Sequence, residues 1–285
     1  MHPPLLHEKH FELLGPAGAG ASCTVWRAHD THSRQQVAIK ILDGPPDPEQ
    51  VLRLAQEVEI LKKLDHPCIV KLHGTGVSRE GNPFVVMEWL DGQSLREHLL
   101  QTPLPPRTEV LEIVAQVCSA LVEAHMAGVV HRDVKPENLM LCTGSTPGMR
   151  RRSRATIKIV DFGTAKRLGP GAAALTADGK ILGTPQYMSP ECARGERITG
   201  AADVYAVAIM TYEMLAGRVP FDDRIPVKVV ARQIAHPPPP MQGVHPALEQ
   251  AVLAGLAKDP TLRPSAAQFH RSFALALQEA ASDVS

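Results

Sequence analysis

The sequence predicts an α+β fold with two unequal lobes: a small antiparallel sheet that carries one main helix, followed by a mainly helical lobe. Residues 11–88 mix short runs of β-forming residues with one helical pattern, whereas helical periodicity dominates from residue 94 onward. A chain of 285 residues is long enough for a domain of this kind. We expect a single domain over the whole chain, with one lobe at residues 11–90, the second at 91–275 and a tail at 276–285.

The first lobe is expected to contain several strands and one helix. Runs rich in β-forming side chains predict strands at residues 24–29, 36–42, 70–77 and 84–88. Apolar residues at helical intervals, including Leu54 and Leu61, predict a helix over residues 49–64. Because this helix lies between strands along the chain, we expect it to pack on their sheet.

In the second lobe, helices with a buried apolar face are predicted at residues 110–126, 203–216 and 247–256. The longest strongly apolar run, residues 204–212, is much shorter than the roughly 20 residues of a membrane span, so it is interpreted as a core helix. The tetraproline at residues 237–240 has two interpretations, a rigid connection between helices or an extended ligand for an aromatic groove.

Composition narrows the function classes. Thirty Lys and Arg residues balance thirty Asp and Glu residues, so no overall field attracts nucleic acid or an anionic membrane, and we predict no nucleic-acid partner. The five cysteines are scattered and never form a C-x-x-C pair, which favours reduced thiols over disulfides or a zinc ribbon. Without a signal-peptide pattern or an apolar span, the chain is expected to be cytoplasmic, or the cytoplasmic domain of a longer chain.

A glycine-rich turn and a lone lysine are the first chemical signals. Gly18 and Gly20, followed by Val25, lie where two strands meet, and glycines there let the backbone approach a polyphosphate. An ordinary hairpin turn explains the glycines equally well. Lys40 ends an apolar strand, and Glu57 lies beside the apolar face of the next helix. Their pairing would fix the ammonium for phosphate binding; the alternative is a surface lysine and a solvated glutamate.

Two polar motifs indicate a divalent metal site. Residues 131–138 read HRDVKPEN and lead into an abruptly apolar segment, which a solvated run of charges does not explain. Within residues 157–163, a predicted strand leads to Asp161, just before a turn. A carboxylate at a strand end and the upstream Asn138 make a sparse oxygen site suited to Mg²⁺, which keeps water and substrate phosphates as its other ligands.

Taken in order, these motifs resemble the serine/threonine protein kinases over roughly residues 11–273. The Gly-rich loop, V-A-I-K, H-R-D-x-K-x-x-N, D-F-G and P-E motifs follow one another at the spacing of that family. The resemblance implies the bilobal protein-kinase fold and transfer of the ATP γ-phosphate to Ser and Thr hydroxyls of protein substrates. It implies ATP and Mg²⁺, with Mn²⁺ as an alternative metal. The motifs around residues 189–206 are most similar to bacterial members.

The resemblance assigns roles residue by residue. Asp133 resembles the catalytic base, and Lys135 resembles the cation that neutralises the transferred phosphoryl group. Lys40 resembles the lysine that holds the ATP phosphates, with Asn138 and Asp161 as the metal ligands. The other residues that the resemblance places around ATP are Gly18, Gly20, Val25, Ala38, Glu57, Met87, Glu88, Leu90, Ser94 and Met140.

The adenine site is expected to use both lobes. Val25 and Ala38 would cover the base from above and Met140 from below. The backbone of Glu88 and Leu90 would hydrogen-bond its edge.

The resemblance also places a gatekeeper and two departures from the family pattern around the nucleotide. Met87 resembles the gatekeeper behind adenine. Ser94 replaces a common acidic ribose contact, which predicts a weaker sugar contact. Cys23 replaces the third glycine of the loop, and we hypothesise that its oxidation or alkylation impairs ATP binding; the alternative is an inert small residue.

Other residues resemble the family's substrate-binding and structural elements. Thr184 is expected to bond the catalytic-loop Asp and Lys, as in kinases that act on Ser and Thr. Glu191 and Arg263 resemble a buried ion pair, and Asp203 resembles the aspartate that braces the catalytic loop. Glu137 is a candidate contact for a basic side chain of a peptide.

Regulation is suggested by Arg132, which adjoins the catalytic base in kinases that need a phosphate in the activation segment. Thr176 is the candidate phosphate acceptor. Autophosphorylation there would involve a second copy of the chain, so a homodimer is expected. The arginine-rich insertion at residues 142–156 is either a solvated loop or an anionic docking site, with Ser153 as a second phosphorylation candidate. Two alternatives to an active protein kinase remain at this stage: a pseudokinase and a small-molecule kinase of the same fold.

Overall fold

The computed structural model describes residues 6, 10–20, 22–45, 47–142, 155–162 and 184–283. The elements of the first lobe are β1 (Phe11–Ala19), β2 (Cys23–Asp30), β3 (Gln35–Leu42), α1 (Pro48–Leu61), β4 (Leu72–Val77) and β5 (Pro83–Glu88). The strands pair antiparallel in the order β1-β2-β3-β5-β4. The predicted small antiparallel sheet with one main helix is confirmed.

Helix α1 carries a glutamate into the lobe interior. Asp47 caps the helix by accepting a hydrogen bond from the amide of Glu49, and Pro48 occupies the first turn, where its missing N–H is not needed. Glu57 is buried on the inner face together with leucine and valine side chains. The helix ends at Leu61, slightly before the predicted limit at residue 64.

The second lobe contains seven α-helices and a small sheet among its described residues. The helices are α2 (Leu95–Gln101), α3 (Arg107–Met126), α4 (Pro190–Arg194), α5 (Gly200–Ala216), α6 (Pro226–Ala235), α7 (Pro246–Gly255) and α8 (Ala266–Ser282). The strands β6 (Gly92–Ser94), β7 (Leu139–Cys142) and β8 (Thr156–Ile159) pair antiparallel in that order. The mainly helical lobe is confirmed, and α3, α5 and α7 match the predicted helices.

Only part of the strand predicted over residues 70–77 belongs to the larger sheet, and its first residues contact the second lobe. β4 begins only at Leu72. Before it, the amide of Val70 donates to the carbonyl of Ile159 at 3.0 Å, and Ile69 forms an isolated bridge with the same residue of β8. The chain therefore ties the lobes together directly before it enters the larger sheet.

The core of the second lobe is organised around α5. Every residue of this helix from Ala202 to Tyr212 is buried, as expected for a helix at the centre of a domain. Helix α8 continues to Ser282 and buries Ala276 and Ala280, so the first residues of the expected tail at 276–285 belong to this helix. Alanine side chains are small enough to bury one face without giving a strong apolar pattern.

The tetraproline at residues 237–240 connects α6 to α7. The hydroxyl of Tyr212 donates to the carbonyl of Pro239 at 3.2 Å, so this segment is attached to the core helix α5. This contact supports the interpretation as a rigid connection.

Several sequence features lie outside the described residues. Residues 143–154, which hold the arginine-rich insertion and Ser153, are among them, and so is Thr176 within residues 163–183. Within the described ranges, no helix combines the length and the apolar character needed to cross a bilayer.

Candidate active site

One face of the five-stranded sheet carries four of the first-lobe residues predicted around the nucleotide. Val25 of β2 pairs with Lys40 of β3, and Ala38 of β3 pairs with Met87 of β5. Because residues two apart in a strand share a face, Ala38 and Lys40 point to the same side. Val25, Ala38, Lys40 and Met87 therefore lie on one face of the sheet.

Lys40 forms ion pairs with two carboxylates. Its Nζ lies 3.0 and 2.9 Å from the two carboxylate oxygens of Glu57, and 2.6 Å from Oδ1 of Asp161, which follows β8. Lys40 and Glu57 are both buried. The pair expected from the sequence is present, and the additional contact with Asp161 joins the two lobes across the cleft.

Electrostatics keep Lys40 and Asp161 ionised. Burial by itself would lower the pKa of Lys40, but the carboxylates of Asp161 and Glu57 outweigh burial and raise that pKa above its ordinary value. Burial opposes the charge on Asp161 as well, yet the ammonium of Lys40 prevails and lowers the pKa of Asp161. Near neutral pH this part of the cleft therefore holds a fixed cation on Lys40 beside a fixed anion on Asp161.

Asp133, Lys135 and Asn138 form one hydrogen-bonded group in the second lobe. The Nζ of Lys135 donates to Oδ2 of Asp133 at 2.8 Å. The side-chain amide of Asn138 donates to the carbonyl of Asp133 at 2.8 Å and to its Oδ2 at 3.1 Å. These bonds orient the Asp133 carboxylate through one oxygen. Its Oδ1 accepts no hydrogen bond from the described part of the chain, so that oxygen can accept a proton from a ligand.

Two candidate site residues have a left-handed backbone. Among the described non-glycine residues, positive φ values occur at Arg34, Arg132 and Asp161, where φ is 58°, 67° and 60°. Arg34 lies in the turn between β2 and β3, where this conformation is common. Arg132 directly precedes Asp133, and Asp161 directly faces Lys40. Such conformations cost about 1–3 kcal/mol and persist where the surroundings impose them.

Asp203 of α5 imposes part of this geometry. Its fully buried carboxylate accepts hydrogen bonds from the backbone amides of His131 at 2.9 Å and Arg132 at 2.7 Å. The bracing expected of Asp203 is therefore present. Sequence reasoning missed a third donor, His125, whose Nε2 lies 2.8 Å from the same carboxylate. A β-carbon on Gly200 would lie 2.7 Å from the His125 ring, so glycine is needed where α5 begins.

A cleft of about 650 Å³ lies between the lobes, a volume suited to a small ligand. The predicted site residues in its lining are Gly18, Gly20, Val25, Lys40, Glu57, Asp133, Lys135, Asn138 and Asp161. The predicted residues outside this lining are Ala38, Met87, Glu88, Leu90, Ser94 and Met140. The structure thus gathers the candidates for phosphate binding, metal binding and catalysis in one cavity, whereas the adenine candidates other than Val25 follow β3, β5, β7 and the segment after β5.

The segment after β5 is braced through the side chain of Glu88. Its Oε1 accepts hydrogen bonds from the amide of Lys71 at 2.8 Å and from Nζ of Lys158 on β8 at 2.5 Å. This carboxylate therefore joins the end of the larger sheet to the smaller one. No local pattern predicts this contact, because Lys158 looks like an ordinary outward residue of a strand.

Ser94 caps helix α2. Its hydroxyl accepts a hydrogen bond from the amide of Glu97 at 3.1 Å, while its own amide and hydroxyl contact Glu97 Oε2 at 2.7 and 2.8 Å. This reciprocal capping box satisfies donors at the start of the helix. A ribose contact at Ser94 would have to share a hydroxyl that is already engaged.

Thr184 differs from the expectation. It lines the cleft, but within the described chain no hydrogen bond joins its hydroxyl to Asp133 or Lys135. Those two residues bond each other instead. Adjacency in a shared cleft is observed for Thr184, whereas the expected pair of hydrogen bonds is not.

The two residues predicted to hold a metal fit an oxygen-donor site. The amide nitrogen of Asn138 is used by Asp133, while its Oδ1 accepts no hydrogen bond from the described residues. Asp161 presents an ionised carboxylate to the same cleft. Amide and carboxylate oxygens are the ligands that hard divalent cations take from proteins.

Comparison with known proteins agrees with this arrangement. The family model for the protein kinase domain matches residues 11–273. The chain is 36% identical over 264 residues to serine/threonine-protein kinase PknB of Mycolicibacterium smegmatis, covering 89% of this chain and 40% of that protein. It is 36% identical over 272 residues to PknB of Mycobacterium leprae, covering 92% and 42% respectively. It is 35% identical over 269 residues to serine/threonine-protein kinase pkn3 of Myxococcus xanthus, covering 90% and 47%.

The chain therefore belongs to the protein kinase domain family, and these relatives are bacterial serine/threonine kinases. Members of the family use ATP and a divalent metal ion. The chain spans less than half the length of each of these three relatives.

Proposed function

We propose that this chain is an active serine/threonine protein kinase, which transfers the γ-phosphoryl group of ATP to Ser and Thr hydroxyls of proteins. The observation that carries the proposal is the placement of Lys40, held by Glu57 and Asp161, in the same cleft as the bonded Asp133–Asn138 group. A phosphate-binding cation, a proton acceptor and metal-ligand oxygens thus line one cavity.

Phosphoryl transfer depends on positioning and charge neutralisation more than on covalent chemistry by the protein. The hydroxyl oxygen of the substrate bonds to the γ-phosphorus, the bond to the β–γ bridging oxygen breaks, and ADP leaves. Asp133 receives the hydroxyl proton. Lys40 binds the non-transferred phosphates, and Lys135 neutralises the transferred group. Mg²⁺ or Mn²⁺, held by Asn138 and Asp161, would supply further neutralisation of the phosphate charge.

The sheet face described above supports the nucleotide part of the proposal. Val25 and Ala38 enclose adenine from the first lobe and Met140 from the second. The backbone of Glu88 and Leu90 binds its edge. The turn from β1 into β2, with Gly18 near the end of β1 and Gly20 directly after that strand, approaches the phosphates, and both glycines line the cleft. Met87 closes the space behind the base, and Ser94 lies nearest the sugar.

The proposal extends to partners and location. The balance of positive and negative residues gives no support for nucleic-acid binding. None of the five cysteines forms a disulfide within the described part of the chain, which supports a reducing, cytoplasmic setting. Autophosphorylation at Thr176 between two copies of the chain is part of the proposal and rests on the family resemblance alone.

The test is phosphotransfer from ATP labelled at the γ-phosphate to a panel of proteins and peptides. The wild type should label Ser and Thr, and Asp133→Asn should reduce the rate about a hundredfold or more, because the proton acceptor is lost. Asp133→Asn should keep its thermal shift with nucleotide, which shows that folding and binding are intact. Equal rates in wild type and Asp133→Asn would contradict the catalytic role. Labelling of small molecules but of no protein would favour the small-molecule kinase.

A further inference from the structure

An arginine of α2 is bonded to residues in an acidic part of the cleft wall. Nε of Arg96 lies 2.9 Å from Glu137 and its Nη1 lies 2.7 Å from Glu213, while its Nη2 donates to the hydroxyl of Tyr187. That hydroxyl donates in turn to the second oxygen of Glu213. Glu137 and Tyr187 line the same cleft as Asp133. Each nitrogen of the Arg96 guanidinium therefore has a partner at this wall.

This cluster of Arg96, Glu137, Tyr187 and Glu213 is a sheltered network. The side chains of Arg96 and Glu213 are 26% and 13% exposed, and Tyr187 is buried, so Glu137 forms its solvent edge. Charge-assisted hydrogen bonds in such surroundings are stronger than those on an open surface. Burial would lower the pKa of Arg96, but its bonds to Glu213 and Glu137 outweigh burial and raise it.

The two carboxylates of this network are the groups that a basic side chain of a bound peptide would seek. Glu137 follows Asp133 closely in sequence and shares its cavity, so it faces the region where the acceptor residue binds under the proposed function. The structure shows that one of its oxygens is already bonded to Arg96. Arg96 therefore already supplies a positive charge to the carboxylates of Glu137 and Glu213.

A substrate cation would have to displace Arg96. The exchange replaces one set of charge-assisted hydrogen bonds by another and leaves the sheltered guanidinium without acceptors, so little affinity is gained. If Arg96 stays in place, it repels a second cation at short range. Both routes remove the advantage of a basic residue at this position of the peptide.

We propose that Arg96 is a specificity-determining residue that takes the place of a basic substrate side chain, so that the enzyme selects Ser/Thr peptides without Lys or Arg at the position facing Glu137 and Glu213. The inference rests on the proposed protein kinase function. Arg96 does not contact the reacting groups. It acts by filling a subsite that would otherwise select for positive charge.

The test compares peptides in which one Arg is moved through the positions around the acceptor Ser, each matched by a citrulline peptide of the same shape without the charge. The ratio of kcat/KM for Arg over citrulline should be near one or lower at all positions with the wild type. With Arg96→Ala it should rise about tenfold or more at one position, because two carboxylates and a tyrosine hydroxyl lose their cation. The double variant Arg96→Ala/Glu137→Gln should lose most of that gain.

Controls separate this role from a structural one. Arg79→Ala removes an exposed arginine from the turn between β4 and β5 and should leave every ratio unchanged. Arg96→Gln removes the charge and keeps most of the volume, so it serves if Arg96→Ala fails to fold, and its ratio should also rise. A uniform loss of kcat/KM with unchanged ratios would overturn the proposal, as would a wild-type preference for Arg that Glu137→Gln abolishes. A wild type that phosphorylates nothing would refute the proposed function instead.

Discussion

Glu191 and Arg263 form a bidentate ion pair inside the second lobe. Nη1 and Nη2 of Arg263 donate to the two carboxylate oxygens of Glu191 at 2.7 and 2.8 Å, and the two side chains are 0% and 1% exposed. The guanidinium also donates to the carbonyls of Ala201, Ala257 and Lys258. Every N–H of the group therefore has an acceptor. The pair that the resemblance implies is present and joins α4 to the segment before α8.

Arg263→Met should lower the free energy of unfolding by about 3–5 kcal/mol, because it leaves the Glu191 carboxylate buried without a counter-ion. Urea unfolding of wild type and variant measures the difference. Arg79→Ala, on the exposed turn, should stay within about 0.5 kcal/mol of wild type. Adding Glu191→Gln to Arg263→Met should recover part of the loss, since no unpaired charge then remains buried. A loss of less than about 1 kcal/mol for Arg263→Met would show that the site rehydrates.

Glu57→Gln should lower kcat/KM for phosphotransfer about tenfold to a hundredfold, because the buried ammonium of Lys40 loses one of its two restraints and shifts toward Asp161. Initial rates at several ATP concentrations measure the effect. Glu59→Gln is the matched control on the same helix, since Glu59 is exposed and pairs with Lys62; it should change the rate by less than about twofold. Equal rates for both variants would mean that the Lys40–Glu57 pair does not position the phosphates.

Because of Lys258, the free energy of unfolding should change with pH in the alkaline range. Burial, with Arg263 and Arg194 nearby, lowers the pKa of Lys258 to about 8, whereas an unfolded lysine titrates near about 10.4. Between these values the unfolded chain binds more protons, so Lys258 favours the folded state increasingly as pH rises. The difference in unfolding free energy between wild type and Lys258→Met should be constant below about pH 8 and move in favour of the wild type above it. A difference that stays flat to about pH 10 would contradict the lowered pKa.

Cys23 should be alkylated slowly at neutral pH. Burial raises the pKa of its thiol, and the attraction of Lys40 only partly offsets this. Mass spectrometry after timed iodoacetamide treatment should show faster modification of Cys23 at higher pH and slower modification with ATP present, because Cys23 lines the cleft. Complete alkylation should weaken ATP binding, and Cys23→Ala should be insensitive to the reagent. Full activity of fully alkylated wild type would end the hypothesis that this position matters for nucleotide binding.

Sequence reasoning succeeded where the signal is local. Lys40, Asp133 and Asn138 stand in motifs of fixed spacing, and the apolar run of α5 marks a core helix without knowledge of its neighbours. Strand β8 lies within the run predicted as a strand before Asp161, whereas β6 was not predicted, because three residues cannot show an alternating pattern.

Contacts between segments that are far apart along the chain could not be predicted from the sequence. Arg96 meets Glu213 across 117 positions, and Lys158 meets Glu88 across 70, so neither pair has a signal in a local window. Thr184 shows the converse error, because a residue can share a cavity with its expected partners without bonding them. The contact proposed to determine specificity and the contact that braces the two sheets therefore depend on the tertiary structure. The candidate catalytic residues, in contrast, stand in short sequence motifs.

The contact between Lys40 and Asp161 also has a pharmacological consequence. The lysine proposed to receive the nucleotide phosphates is already neutralised by carboxylates of the chain itself. Binding a polyphosphate exchanges one set of charge interactions for a similar one, so the phosphates add less net affinity than their charge suggests. A neutral heterocycle seated along β3 and β5 requires no such exchange. Uncharged inhibitors of modest size should therefore compete well with ATP in this cleft.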